Sequence, residues 1–356
     1  MTEALGTDKI DICGFTLPEL KEEFIKAGQP GYKAGQVFKW LHREKAVSFD
    51  CMTDIKKDLR EELKEKYRIT VMKPEEVLVS KIDGTRKYVF SLYCGNVIEA
   101  VFMKYHHGNS VCISSQAGCR MGCTFCASTL SGCARSLTAA EMLAEVYRIE
   151  EDTGERVSNV VIMGSGEPFD NYDQVVKFIR MISCPEGLCI SARNITLSTC
   201  GIVPGILKFA EEGLPVTLAL SLHAPYQSMR EQMMPIAKAY KLPEVLKACR
   251  TYYEKTGRRL SFEYSVVRGV NDSERCAMDL CALIKNLHGH VNLIPVNPVE
   301  ETAYESPSRE SVERFRDILI KNGINATIRR EMGRDIKSAC GQLRRRHIKD
   351  AGLCTD

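Results

Sequence analysis

Cys119, Cys123 and Cys126 stand at C-x3-C-x2-C spacing in the string CRMGCTFC. With 16 cysteines in 356 residues, chance would place such a triplet roughly 0.03 times. A small buried apolar residue is the ordinary role of one cysteine, but it does not account for three at this spacing. Closed zinc sites take four protein ligands, and no fourth ligand completes a paired-knuckle spacing here. Three thiolates in one tight loop suit an iron–sulfur cluster with one iron left open. Other candidates follow further along the chain. Gly164 and Gly166 of GSGEP let a ligand approach the backbone, and Glu167 can accept from an ammonium group. Ser198 closes one apolar run, Ser221, Leu222 and His223 close another, and Asn297 closes a third. Polar groups at successive strand ends are what a ligand across a barrel mouth requires. Ser198 taken alone reads first as the cap of a following helix, a reading that does not account for the set. Cys112 and Cys340, taken singly, read as buried thiols, and Glu99 of VIEAVFM reads as a residue on a strand surface.

These residues need a scaffold. Strands are expected at 110–115, 158–164, 194–199, 216–222, 259–267, 290–296 and 325–330, with amphipathic helices such as TAAEMLAEVYRIEE and YDQVVKFIRMI between them. Such alternation predicts an α/β fold with a parallel sheet and right-handed crossovers, a complete or partial (β/α) barrel. In a barrel, chemistry sits at the C-terminal strand ends, and the cysteine triplet follows the first strand. Residues 16 to 68 predict three short helices, a small bundle with its own core. Leu17, Leu20, Phe24 and Ile25 share one stripe of the first helix. The second buries Val37, Phe38 and Leu41 and shows Lys33, Lys39, His42 and Arg43 on its other face. The third, in TDIKKDLREELKEKY, is expected to start after a Thr or Asp cap. Residues 76 to 104 alternate apolar and polar, with turns at Asp83-Gly84 and Gly95-Asn96, and predict a small antiparallel sheet as a link. The expected division is 1–75 helical accessory domain, 76–104 β linker, 105–335 core barrel and 336–356 basic terminal segment.

Apolar residues make up 44% of the chain, enough for a core, so disorder is excluded as the main state. The net charge of +3 excludes a global polycation but not a local patch. Residues 327 to 349 hold eight Lys/Arg against two Asp/Glu, a local +6. That is either a phosphate-contact footprint or a solvated charge run. The Lys33, Lys39, Trp40, His42 and Arg43 cluster carries the same two readings. No run of about 18 apolar residues occurs, and the first residues lack the layout of a signal peptide. A cytoplasmic protein is expected. In that reducing compartment 16 cysteines argue for metal, redox or nucleophilic chemistry rather than a disulfide framework.

The triplet after the first strand resembles the radical S-adenosylmethionine (SAM) superfamily. The longer string CISSQAGCRMGCTFCAS resembles the RlmN/Cfr family of RNA adenosine methyltransferases. So do IMGSGEPFDNYD, ITLSTCGIVP, LSLHAP, VNLIPVNPV and RREMGRDIKSACGQLRRR, and the likeness runs from about residue 16 to 347. Ser165 stands where the family usually has Met. The resemblance implies a partial barrel of the radical SAM type behind a small N-terminal helical domain. It implies one 4Fe–4S cluster on Cys119, Cys123 and Cys126, its open iron binding SAM. It gives Gly166, Glu167, Ser198, Ser221, Leu222, His223 and Asn297 contacts to SAM.

Two SAM molecules per turnover are implied. Cys340 would take a methyl group from one. The other would yield a radical that activates this methyl, so that it adds to carbon 2 of adenine. Cys112 would then attack Cys340, form a disulfide and release the methylated base, with Glu99 as general base. The implied substrates are adenosine 2503 of 23S rRNA and adenosine 37 of certain tRNAs. The implied partner is an electron donor such as a flavodoxin-type reductase system, and the enzyme would be a monomer. Two rivals stay open. The antibiotic-resistance branch methylates carbon 8 of the same rRNA adenosine, although RREMG and the helical domain resemble the carbon-2 branch. A non-catalytic iron–sulfur or zinc RNA-binding protein would use the triplet but has no need of GSGEP, Ser198, Asn297 or the Cys112/Cys340 pair.

Overall fold

The structure, a computed structural model, describes residues 9–297, 304–336 and 343–344. At its start β1 (Ile10–Asp11) pairs in parallel with β2 (Tyr67–Arg68), enclosing α1 (Leu17–Lys26), α2 (Gly31–His42) and α3 (Lys57–Lys66). Thr16 caps α1 in a reciprocal box with Glu19. The expected cap on α3 is absent: Lys56 precedes the helix and makes no side-chain cap, while Asp54 accepts instead from the Trp40 indole N–H. Leu20, Phe24, Val37, Phe38, Leu41, Leu59 and Leu63 are buried. Ile25 leaves the expected stripe and is 64% exposed, because it lies about 100° round the helix from Phe24.

A ten-stranded sheet follows. Its antiparallel part is β3 (Lys73–Val79), β4 (Arg86–Ser91), β5 (Val97–Tyr105) and β6 (Gly108–Ile113). A short antiparallel pair, β7 (Gln116–Gly118) and β8 (Cys133–Ser136), then interrupts the chain. The parallel part is β6, β9 (Val157–Ile162), β10 (Ile195–Thr199), β11 (Thr217–Ser221), β12 (Leu260–Val266), β13 (Gly289–Pro295) and β14 (Ala326–Ile328), in that spatial order. Between these strands run α4 (Ala139–Thr153), α5 (Tyr172–Ile182), α6 (Val203–Glu211), α7 (Gln227–Met233), α8 (Leu242–Thr256), α9 (Glu274–Ile284) and α10 (Arg309–Lys321). The parallel strands form an open, partial (β/α) barrel. The antiparallel strands do not form a sheet of their own: β5 continues the barrel sheet by pairing with β6, Val101 opposite Cys112.

The sheet edges β3 and β14 do not pair with each other. The segment after β14 spans the gap: Asp83 accepts from Gly333 N at 2.9 Å, and Asp335 from Ser80 Oγ at 2.6 Å and Lys81 N at 2.8 Å. Alternation along the strands sorts the side chains. Ile98, Ala100 and Phe102 of β5, with Val111 and Ile113 of β6, join the main core. Val101, Met103 and Cys112 point the other way and pack with Met332 as a separate cluster.

The N-terminal helices do not keep a separate core, since their buried residues are continuous with those of the barrel. His42, expected on the charged face of α2, is buried in this junction. Its Nδ1 lies 2.9 Å from the Tyr147 hydroxyl of α4, its ring is 4.3 Å from that of Phe38, and its Nε2 has no partner. Burial holds its pKa down to about 3. The folded state therefore keeps His42 neutral, whereas the unfolded chain takes up a proton below about pH 6.5. Stability contributed by a neutral His42 is present above pH 6.5 and declines as pH falls towards 3. Denaturant melts of wild type and His42→Gln between pH 7 and 5 should differ in slope by up to about 1.4 kcal/mol per pH unit, the variant being flatter. Parallel slopes would show that His42 is not the titrating group.

Candidate active site

The cysteine triplet occupies the loop between β7 and β8. Gly118, at φ +94°, ends β7 where a Cβ would stand 2.0 Å from Gly132 O, so only glycine lets the two sides of the loop close. Cys119 N donates to Gly132 O at 3.0 Å, and Thr129 Oγ1 donates to Cys123 O at 3.1 Å and Cys126 O at 2.9 Å. Thr124 N reaches Met233 O of α7 at 3.0 Å, fixing the loop against the opposite side of the barrel mouth. Burial pushes the Cys119 thiol up to about 12 and raises that of Cys123 as well. Such thiols deprotonate only when a metal supplies the opposing charge. Among the described residues no three His, Cys, Asp or Glu side chains converge on a single metal ion. That geometry is not required of a cluster, whose thiolate ligands each bind a different iron.

All three cysteines line one cavity of about 270 Å3. Gly166, Glu167, Ser198, Ser221, His223 and Asn297 line the same cavity. At Gly166, φ +109°, a Cβ would lie 2.7 Å from both Gln116 Cβ and Ser115 Oγ. Glu167 is buried, and its carboxylate accepts from Thr199 Oγ1 at 2.7 Å, Phe169 N at 3.1 Å and Cys200 N at 2.7 Å. The Cys200 thiol is a fourth donor to the same carboxylate, so a ligand ammonium on the cavity side would take the place of that weak donor. Burial raises the Glu167 pKa against the pull of those donors. Ser198 Oγ and Ser221 Oγ lie 3.2 Å apart. His223 sits at φ +57°, with Nδ1 accepting from Ser265 N at 2.9 Å and its ring edge-on to Phe125. Leu222 does not join them: it is fully buried behind the cavity. This donor set fits a cluster and an amino-acid-bearing ligand, namely thiolates on one wall and a carboxylate with hydroxyls on the other.

Glu167→Ala should therefore weaken SAM binding by about 10- to 100-fold, the cost of a buried ammonium losing a charged acceptor. Glu167→Gln keeps the shape and checks that the fold persists. Calorimetry with SAM measures it, and unchanged affinity in both variants would remove Glu167 from the ligand site.

A second cavity, of about 410 Å3, shares Ile294, Val296 and Asn297 with the first. Its floor is Val101, Met103, Cys112 and Met332, and its rim carries Arg329, Arg330 and Arg334. An apolar slot edged by guanidinium groups has the chemistry to take a flat base and its phosphates. Glu99 is buried beside this face of the sheet rather than exposed as its sequence context suggested. Its Oε2 lies 3.2 Å from Nζ of the fully buried Lys87, and its Oε1 accepts from Arg344 N at 2.6 Å. Arg344 Nε also donates to Val97 O at 2.9 Å. Cys340, like residues 337–342 as a group, lies outside the described residues.

Several site features had no counterpart in the sequence reading. Lys87 pairs with Glu99. Ser165 Oγ accepts from Gly118 N at 3.1 Å, and Ser165 O accepts from Ser115 N and Gln116 N, so the GSGEP turn is laced to the strand that enters the cysteine loop. Gln116 adds a bond from Glu167 N at 2.9 Å. The GxGEP string itself was the available signal for this lacing. Cys133 is half-buried on β8, while Cys200, Cys249, Cys276 and Cys281 are buried. Of the basic cluster on α2, His42 is buried and Trp40 is half-buried against Asp54, which leaves Lys33, Lys39 and Arg43.

Comparisons with known proteins agree with this geometry. The Ribosomal RNA large subunit methyltransferase N-terminal domain family matches residues 10–69, and the Radical SAM superfamily matches residues 113–281. A probable dual-specificity RNA methyltransferase RlmN of Lachnoclostridium phytofermentans is 57% identical over 339 residues, 95% of each chain. One of the same name from Lachnospira eligens is 54% identical, over 96% of this chain and 97% of its own. Among solved structures, a radical SAM methyltransferase from Sphaerobacter thermophilus superposes with a TM-score of 0.89 at 42% identity, covering 94% of this chain and 98% of that one.

Proposed function

Because the chain belongs to the RlmN family of radical SAM RNA methyltransferases, we propose that it methylates carbon 2 of adenosine in 23S rRNA and in tRNA through a methylated cysteine. The observation that carries this reading is the pair of adjoining cavities. One gathers the three cysteines with Glu167, Ser198 and Ser221, and the other holds Cys112 under an arginine rim, with Asn297 in the wall between them. When bound, the 4Fe–4S cluster and SAM supply a methyl group and a hydrogen-abstracting radical.

The protein's own residues do the rest. Cys119, Cys123 and Cys126 hold the cluster. Gly166, Glu167, Ser198, Ser221, His223 and Asn297 orient SAM, with Leu222 shaping the strand end behind them. Cys340 carries the methyl group to carbon 2, a position too electron-poor for direct displacement from SAM. Cys112 then attacks Cys340, and the carbon–sulfur bond to the base breaks as the disulfide forms, its electron pair staying on the methylene carbon, which takes up a proton and becomes the methyl group. Glu99 accepts the proton lost from carbon 2. Its charge is balanced by Lys87, and Arg344 N fixes one of its oxygens. The disulfide is a transient of turnover, reopened by a thiol reductant.

Electrons come from a one-electron donor of the flavodoxin type, and the enzyme works as a cytoplasmic monomer. No helix among the described residues is long and apolar enough to cross a membrane. The test is nucleoside mass spectrometry of an rRNA fragment after reaction with loaded enzyme, SAM and reductant. The expected product is 2-methyladenosine. Recovery of 8-methyladenosine would move the chain to the carbon-8 branch, and no methylated base would leave the RNA-binding reading.

A further inference from the structure

Arg230 of α7 is 0% exposed, yet no carboxylate pairs with it among the described residues. Its Nε donates to Leu222 O at 3.2 Å, and its Nη2 to Cys200 O at 2.6 Å and Ser221 O at 3.2 Å. Its Nη1 is buried without a partner. All three acceptors are neutral carbonyls, so the guanidinium keeps its full positive charge in the interior. A buried charge is strongly unfavourable unless an opposite charge faces it.

The position of Arg230 indicates where that charge enters. The carbonyls it binds belong to the ends of β10 and β11. Cys200 and Ser221 there, with the following His223, line the cavity that holds the cysteine triplet. Cys249 of α8 also lies within the guanidinium's field. A lysine would keep the charge but lose the planar fork that reaches three carbonyls.

We infer that Arg230 is the buried counter-charge of the cysteine-held cluster, stabilising its reduced state. This rests on Cys119, Cys123 and Cys126 holding the cluster, as proposed above. Three thiolates around a cluster make an anionic group, and one electron from an external one-electron donor makes it more negative by one unit. A fixed positive charge in a low-dielectric wall favours the reduced member of that pair.

The test is an anaerobic redox titration of reconstituted, SAM-free enzyme, followed by absorbance and electron paramagnetic resonance. Arg230→Gln should shift the oxidised/reduced balance at least tenfold towards the oxidised form, a midpoint lower by at least 59 mV for one electron. Arg230→Lys, which keeps the charge but loses the fork, should stay close to wild type. No shift in Arg230→Gln, or equal shifts in both variants, would overturn the inference. If Arg230→Gln fails to take up a cluster, Cys249→Asp decides. Cys249 is buried on α8 within the guanidinium's field, and a carboxylate there would neutralise Arg230 without breaking its three bonds. It should lower the midpoint in the same direction, and an unchanged midpoint or a misfolded protein would overturn the inference. Wild type that binds no iron would instead overturn the cluster assignment itself, so the two failures are distinct.

Discussion

Replacing any one of Cys119, Cys123 and Cys126 with Ala abolishes iron–sulfur absorbance and the formation of 5′-deoxyadenosine. The expectation follows from ligand number. A cluster that keeps one iron open for SAM has only three protein thiolates, and losing one opens a second iron to solvent and to dissociation. Cys133, at the far end of the loop, is held in the β8 ladder opposite Gly118, and Cys200, which lines the same cavity, is bonded to Glu167. The fold survives the change. The loop lies outside the strands of the barrel, whose buried residues form one continuous core with the N-terminal helices. Anaerobic iron and sulfide analysis with a deoxyadenosine assay reads the chemical loss, and circular dichroism reads the retained fold. A triple alanine variant that still showed cluster absorbance would disprove the assignment.

The barrel and the cofactor wall were legible because both are written in local patterns. Each parallel strand is a short apolar run followed by a helix of regular period, and chain reversal puts every strand's C-terminal end at the same mouth. Ser198, Ser221 and Asn297 therefore converge in space although about a hundred residues separate the first from the last. Glu99 was not legible in the same way. Its burial is set by Lys87 across the antiparallel β4–β5 pair and by Arg344, 245 residues away in sequence. Neither partner leaves a mark in the string VIEAVFM, where alternation alone points to a surface position. His42 failed for a related reason. By period it lies at the border of the apolar face, about 40° from Phe38, and that border packs on Phe38 and meets Tyr147 of α4, which makes it interior. The antiparallel strands were readable individually. Their continuity with the barrel depends on the β5–β6 register, which sequence alternation does not encode.

Cys112→Ala should trap the enzyme covalently on its RNA, and this result separates the two-cysteine mechanism from direct transfer by SAM. Cys112 stands on β6 opposite Val101, buried on the floor of the second cavity beneath Arg329, Arg330 and Arg334. That location gives it no access to cluster ligation, so its loss leaves iron content and SAM cleavage intact. It also leaves Cys340 able to accept a methyl group and deliver it to the base. What disappears is the thiolate that attacks Cys340 sulfur and frees the base, so a carbon bridge between Cys340 and adenine accumulates to as much as one per enzyme. Cys340→Ala has the opposite outcome: no methyl on the protein, no adduct and no methylated RNA. The double variant should behave like Cys340→Ala alone, because the resolving thiol has nothing to resolve. Mass spectrometry of the Cys340 peptide after nuclease digestion of the Cys112→Ala reaction distinguishes these outcomes. A nucleotide attached to that peptide is the expected result. A Cys340 peptide that is unmodified or merely methylated, from enzyme still active in SAM cleavage, would mean that Cys112 does not resolve an adduct and that the methyl group reaches RNA by another route.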